Sequence, residues 1–141
     1  MRVAHRCPCG APDVVMTLPR LPHGEPFPTV YYLTCPRVTS AIGTLESSGL
    51  MRELEDLLEE DPQIAAAYEA AHVTYLADRE ALEVVPEISG ISAGGMPSRV
   101  KCLHVLAAHA MASGPGVNPL GDMVLARLGE WWASGCCVDP V

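Results

Sequence analysis

Three dipeptides, Cys35-Pro36, Asp61-Pro62 and Asn118-Pro119, constrain this chain more than any other feature. Proline suits the first position of a helix, because its fixed φ is already helical and its missing N–H would have no partner there; the residue before it then becomes the N-cap. Each dipeptide therefore marks the start of a helix. Before the first of them, Pro8-Cys9-Gly10 and Pro22-His23-Gly24 separate the stretches 2–6, 13–18 and 29–34. These read as three short strands of a small antiparallel sheet, with Val30-Tyr31-Tyr32-Leu33 the best of them because β-branched and aromatic residues suit a pleated surface. After Pro36 the apolar residues fall at 38, 41, 42 and 45. A break at Ser47-Ser48-Gly49 follows, and the pattern resumes at 50, 51, 54, 57 and 58, as expected for two helices in tandem. Asp61-Pro62 opens a third helix through Tyr68, Ala71, Tyr75 and Leu82. Asn118-Pro119 caps a last one, predicted to run through Trp131 and Trp132 until Gly135. The fold class expected is α+β and mostly helical: a small N-terminal antiparallel sheet packed on four or five helices. No internal repeat appears, so residues 1–141 are read as one domain.

The chemistry concentrates in Lys101-Cys102-Leu103-His104-Val105-Leu106-Ala107-Ala108-His109, led in by Gly94-Gly95-Met96-Pro97-Ser98. Ser98 as N-cap and Gly114-Pro115 as stop predict a helix over 99–113. On such a helix Cys102 and His109 lie within roughly 20° of each other but roughly 10 Å apart along the axis, while His104 points roughly 160° away from Cys102. On that reading the partners of Cys102 come from other segments. Gly94 and Gly95, followed by Arg99 and Lys101 at a helix N-terminus, offer a candidate anion cradle, although neither phosphate-loop motif is complete and an ordinary connector has the same composition.

Composition limits the functional classes. Six cysteines accompany 49% hydrophobic residues and a formal charge of -8, with Lys101 the one lysine beside eight arginines. Such a chain lacks the basic face a nucleic-acid binder needs. The longest uncharged run, 102–121, contains two histidines, an asparagine, two prolines and several glycines, so membrane insertion is not expected; the first ten residues carry Arg2, His5 and Arg6 without an apolar stretch, so neither is a signal peptide. A cytoplasmic globule with reduced thiols is the expectation, its cysteines being metal ligands or catalytic groups rather than a disulfide framework. Seven acids between Glu46 and Asp61 can form a docking face for a basic protein partner, but their alternation with Leu54, Leu57 and Leu58 fits a solvated outer helix face. His72 has no evident partner. Oligomeric state is not legible.

The thiols fall in four places: Cys7 or Cys9, Cys35, Cys102, and Cys136 or Cys137. Four thiolates suit structural zinc or a cubane iron–sulfur cluster, yet no C-x2-C pair is present, and buried cysteines also serve simply as core. Cys35, at a helix N-cap, is placed where a thiolate is favoured.

The blocks Phe27-Pro28-Thr29-Val30-Tyr31-Tyr32-Leu33-Thr34-Cys35-Pro36, Val100-Lys101-Cys102-Leu103-His104 with His109 beyond, and Asn118-Pro119-Leu120-Gly121 resemble the signature of a bacterial family of unknown function, number five hundred and one, found in actinobacteria and several anaerobic lineages. The resemblance extends from Cys7 to Cys137. It implies that Cys7, Cys35, Cys102, His104 and His109 occupy signature positions with a C-terminal cysteine, whereas Cys9 and the doubled Cys136-Cys137 depart from the pattern. Together these readings predict a transition-metal site, zinc or an iron–sulfur cluster, drawn from Cys7, Cys35, Cys102, His104, His109 and Cys137. The alternative from another class is an enzyme with Cys102 or Cys35 as nucleophile, His104 or His109 as base, and an anionic small substrate held by Gly94, Gly95, Arg99 and Lys101. A third is a non-catalytic interaction protein with buried reduced thiols.

Overall fold

The computed structural model describes residues 1–136. Three strands, β1 (Arg2–Arg6), β2 (Pro12–Met16) and β3 (Tyr31–Leu33), form an antiparallel sheet in the order β1-β2-β3. The central strand is the most buried, with Asp13, Val14, Val15 and Met16 all enclosed, which is why it can carry consecutive apolar residues rather than an alternation. Pairing continues past the strand ends, since Thr17 N donates to Val30 O (2.8 Å) and Thr34 N to Asp13 O (2.9 Å). On β1, Val3 faces Val15 and His5 faces Val14, so Ala4 is one residue too many; this bulge re-aims His5.

Five helices follow: α1 (Pro36–Ser47), α2 (Leu50–Glu60), α3 (Pro62–Leu82), α4 (Leu103–Ser113) and α5 (Pro119–Leu128). All three X-Pro dipeptides open helices as expected. The Asp61 carboxylate accepts from Gln63 N and Ile64 N at 3.0 and 3.3 Å, and the Asn118 amide oxygen accepts from Gly121 N at 2.9 Å. Cys35 occupies the N-cap of α1 without a side-chain cap bond. Between α1 and α2 the chain reverses at Gly49, whose φ of 87° lies in the left-handed region.

Helix α4 is the hub, packed on β3, α1 and α5, and it is apolar nearly all round because it has little solvent face to keep polar. Its close approach to α5 depends on Gly121: a Cβ there would lie 2.2 Å from Leu106 O. Helix α3 ties the sheet and the connectors to this hub. Tyr75 Oη accepts from Val30 N (2.9 Å), Tyr31 Oη donates to Asp78 (2.7 Å), Tyr68 Oη donates to Arg99 O (2.8 Å), and buried Arg79 donates to Pro28 O and Ile88 O. No helix among the described residues is long and apolar enough to cross a membrane.

Three expectations need correction. Helix α4 starts at Leu103 rather than 99, because Gly94 and Gly95 wind the preceding residues into a tight turn: Arg99 N donates to Gly95 O, and Lys101 N and Cys102 N both donate to Gly94 O. A Cβ on Gly95 would sit 2.6 Å from Arg99 O, so that turn needs glycine. The last helix ends at Leu128, where Gly129 takes a φ of 63°, leaving Trp131 and Trp132 in a following turn held by Arg37. The thiols are not all reduced either. Cys9 and Cys136 form a disulfide with Cα atoms 5.3 Å apart, joining the β1–β2 turn to the segment after the tryptophans, while Cys7, Cys35 and Cys102 are free.

Candidate metal centre

The turn that delays α4 also builds the site. Because Cys102 is extended (φ −150°, ψ 110°) and serves as N-cap, the helical angle expected between Cys102 and His104 does not apply. The thiol and the imidazole, two residues apart, approach the same point. The third member is Glu46, from the last turn of α1: one sulfur, one ring nitrogen and one carboxylate oxygen lie within 4.8 Å of one another. All three side chains are half-buried. His104 is fixed from both sides, with Nδ1 at 2.5 Å from Glu46 Oε1 and Nε2 at 3.2 Å from Thr39 O. Both neighbours offer acceptor oxygens, so a metal at either ring nitrogen would replace one of these contacts. A metal and a proton would compete for the same nitrogen.

Glu46 was missed in the sequence, where it reads as the first acid of an exposed run. Spacing carries no signal for it, since 56 positions separate it from Cys102 and only the packing of α1 on α4 joins them. Other acids of that run are also engaged: Glu55 accepts from Arg99 Nε (3.1 Å) and Val100 N (2.9 Å), which holds its carboxyl below the usual range, Val100 having the larger effect.

The remaining predicted ligands lie elsewhere. Cys7 and Cys35 are buried, and neither joins a metal-competent group of three among the described residues. Cys137 falls outside the described residues. His109, predicted as a ligand or a base, is enclosed between the Tyr31 ring (5.9 Å, stacked) and the Tyr75 ring (5.0 Å, edge-on). Asn118 decides its protonation. The Asn118 oxygen is taken by Gly121 N, so its amide nitrogen must donate to His109 Nδ1 (3.1 Å); the imidazole proton is then on Nε2, which has no hydrogen-bond partner. Burial pushes the His109 pKa from 6.5 down to about 4, against the pull of Asp78 and Asp122. His109 is thus neutral at neutral pH, wedged between rings, and outside the metal-competent group found among the described residues. His72 does find a partner, Ser92 Oγ, at 2.7 Å.

Three N–H groups of the glycine turn are committed within it: Arg99 N–H donates to Gly95 O, and Lys101 and Cys102 N–H donate to Gly94 O. The Arg99 guanidinium is on Glu55, and Lys101 is exposed. The turn places Cys102 at the start of α4.

No curated protein and no solved structure matches the chain. A family model does, the one described as a protein of unknown function (DUF501), and its match over residues 3–126 takes in Cys7, Cys35, Glu46, Cys102, His104, His109 and Asn118. The chain belongs to that family.

Proposed function

We propose that this protein binds a transition-metal ion, zinc before others, through Glu46, Cys102 and His104. The observation that carries this reading is the convergence of a thiol, an imidazole and a carboxylate within 4.8 Å, brought together by the packing of α1 against α4. Three mixed S, N and O ligands with a half-exposed side match zinc sites that keep a coordination position open, whereas structural zinc is enclosed by four ligands. One thiol is too few for an iron–sulfur cluster, which needs several cysteines. An ion bound there would polarise a water or a substrate oxygen. The chain's own part is to present Cys102 from the N-terminus of α4 and to orient His104 through Glu46 and Thr39.

Elemental analysis and a visible spectrum of protein purified without oxygen test this directly. The expected result is about one zinc per chain, replaceable by cobalt with a thiolate-to-cobalt band that Cys102→Ser removes. Metal-free protein that folds and takes up no cobalt would end the proposal, and a brown protein carrying sulfide would show that the wrong metal had been chosen.

A second reading has its own support. Cys102 is a half-exposed thiol at the start of an eleven-residue helix, and a histidine braced by a carboxylate stands beside it, which is the layout of an activated cysteine nucleophile. Alkylation separates the two. A nucleophile reacts much faster than the other thiols with or without chelator, whereas a ligand becomes reactive when chelator is added.

A further inference from the structure

Between the C-terminal end of α4, α5 and the β1 side of the sheet lies a cavity of about 590 Å³, within the size range of small-molecule sites. Its wall is mainly apolar: Met111 from α4, Leu125 from α5, and Trp131 and Trp132 from the turn after α5, their rings edge to face at 4.7 Å. Two polar groups interrupt it. One is Asp122, whose Oδ2 accepts from Gly116 N at 2.9 Å. The other is His5, turned by the bulge at Ala4 and held through Nδ1 by Asp13 at 2.7 Å. Asp13 is itself fully buried, and its second oxygen has no hydrogen-bond partner. No lysine or arginine is among the described residues lining the cavity. The Cys9–Cys136 disulfide ties its two sides together, since Pro8 belongs to one and the tryptophan turn to the other.

We propose that this cavity, separate from the Glu46–Cys102–His104 cluster, binds a small organic amine with an aromatic or hydrocarbon body. The body fills the space between Met111, Leu125 and the two indoles. The ammonium meets the Asp122 carboxylate and the indole faces, which attract cations through the ring quadrupole. The Asp122 carboxylate, with no lysine or arginine among the described residues of the wall, disfavours an anionic ligand, and a neutral one gains the apolar contacts alone.

The two tryptophans that line the cavity are the only two in the chain, so intrinsic fluorescence reports on it directly. Three probes share one body and differ in charge: 2-phenylethylamine, 2-phenylethanol and phenylacetate. The expected result is a saturable emission change with the amine bound about tenfold more tightly than the alcohol, and phenylacetate the weakest. Asp122→Asn keeps an acceptor for Gly116 N–H and should bring the amine down to the alcohol, leaving the alcohol unchanged. Ala126→Phe, at an exposed position on the rim of the cavity, should abolish binding of all three without disturbing the core. Equal affinity for amine and alcohol, an amine preference that survives Asp122→Asn, binding untouched by Ala126→Phe, or no saturable response to any probe would each overturn the proposal.

Discussion

Acidification should destabilise this protein through His109 before it titrates most carboxylates. In the folded chain the imidazole is fully buried, against Tyr31 from β3, Tyr75 from α3 and Asn118 at the N-cap of α5. Its Nδ1 faces an N–H donor, so adding a proton there would set two donors against each other in an apolar enclosure. The folded value of about 4 lies below the ordinary 6.5 of the unfolded chain. The unfolded state therefore takes up the proton first as pH falls. Stability is fully present above about pH 6.5, declines between the two values, and levels off below the lower one. The difference corresponds to about 3 kcal/mol over the whole window and to about 2 kcal/mol at about pH 5. With a urea slope of about 2 kcal/mol per molar, the unfolding midpoint should drop by about 1 M between about pH 7.5 and about pH 5. His72 is pushed the same way by burial, so the wild-type curve alone does not isolate His109. The measure is the difference from His109→Gln, taken with chelator present so that no bound metal contributes. That variant is less stable at every pH but should lose most of the decline. A wild-type midpoint flat across the window, or the same slope in the variant, would refute the reasoning.

Three further outcomes are expected. Gly121→Ala should destabilise the fold by about 2 kcal/mol or more in urea unfolding, because the added methyl meets the Leu106 carbonyl at 2.2 Å and α4 and α5 must part. Glu46→Gln should weaken cobalt or zinc affinity by about 10- to 100-fold, read in a competition titration, while leaving the far-ultraviolet circular dichroism unchanged, since the residue sits half-buried at a helix end. Proteolytic mapping of oxidised protein should recover a peptide linking Cys9 to Cys136. Breaking that bond by Cys9→Ser should lower stability by up to about 5 kcal/mol, given that the bond spans 127 positions of sequence, and an unchanged midpoint would mean the bond does not form in solution.

The sequence by itself determined where the elements begin. Proline at Pro36, Pro62 and Pro119 acts through its own ring and missing N–H, and Asp61 and Asn118 bond to N–H groups two or three residues away. Strands, helices and the α+β class follow from such local rules. The family resemblance was legible for the same reason, being a matter of short contiguous blocks. Helix ends were less so: the periodicity of 99–113 and the apolar run to Trp132 continue past the points where Gly94, Gly95 and Gly129 turn the backbone, and hydrophobic pattern does not report φ. The site was half legible. Cys102 and His104 stood out as chemistry, but whether they share a face depends on the backbone at Cys102, which is set by hydrogen bonds to Gly94 eight residues earlier. Glu46 and Asn118 took their roles from tertiary packing alone. The first becomes a candidate ligand because α1 lies against α4; the second turns His109 from a candidate ligand into a neutral wedge because its oxygen is already committed to capping α5. Long-range contacts of this kind leave no periodicity in a chain, so one sequence shows which residues can do chemistry and only the packed structure decides which of them meet.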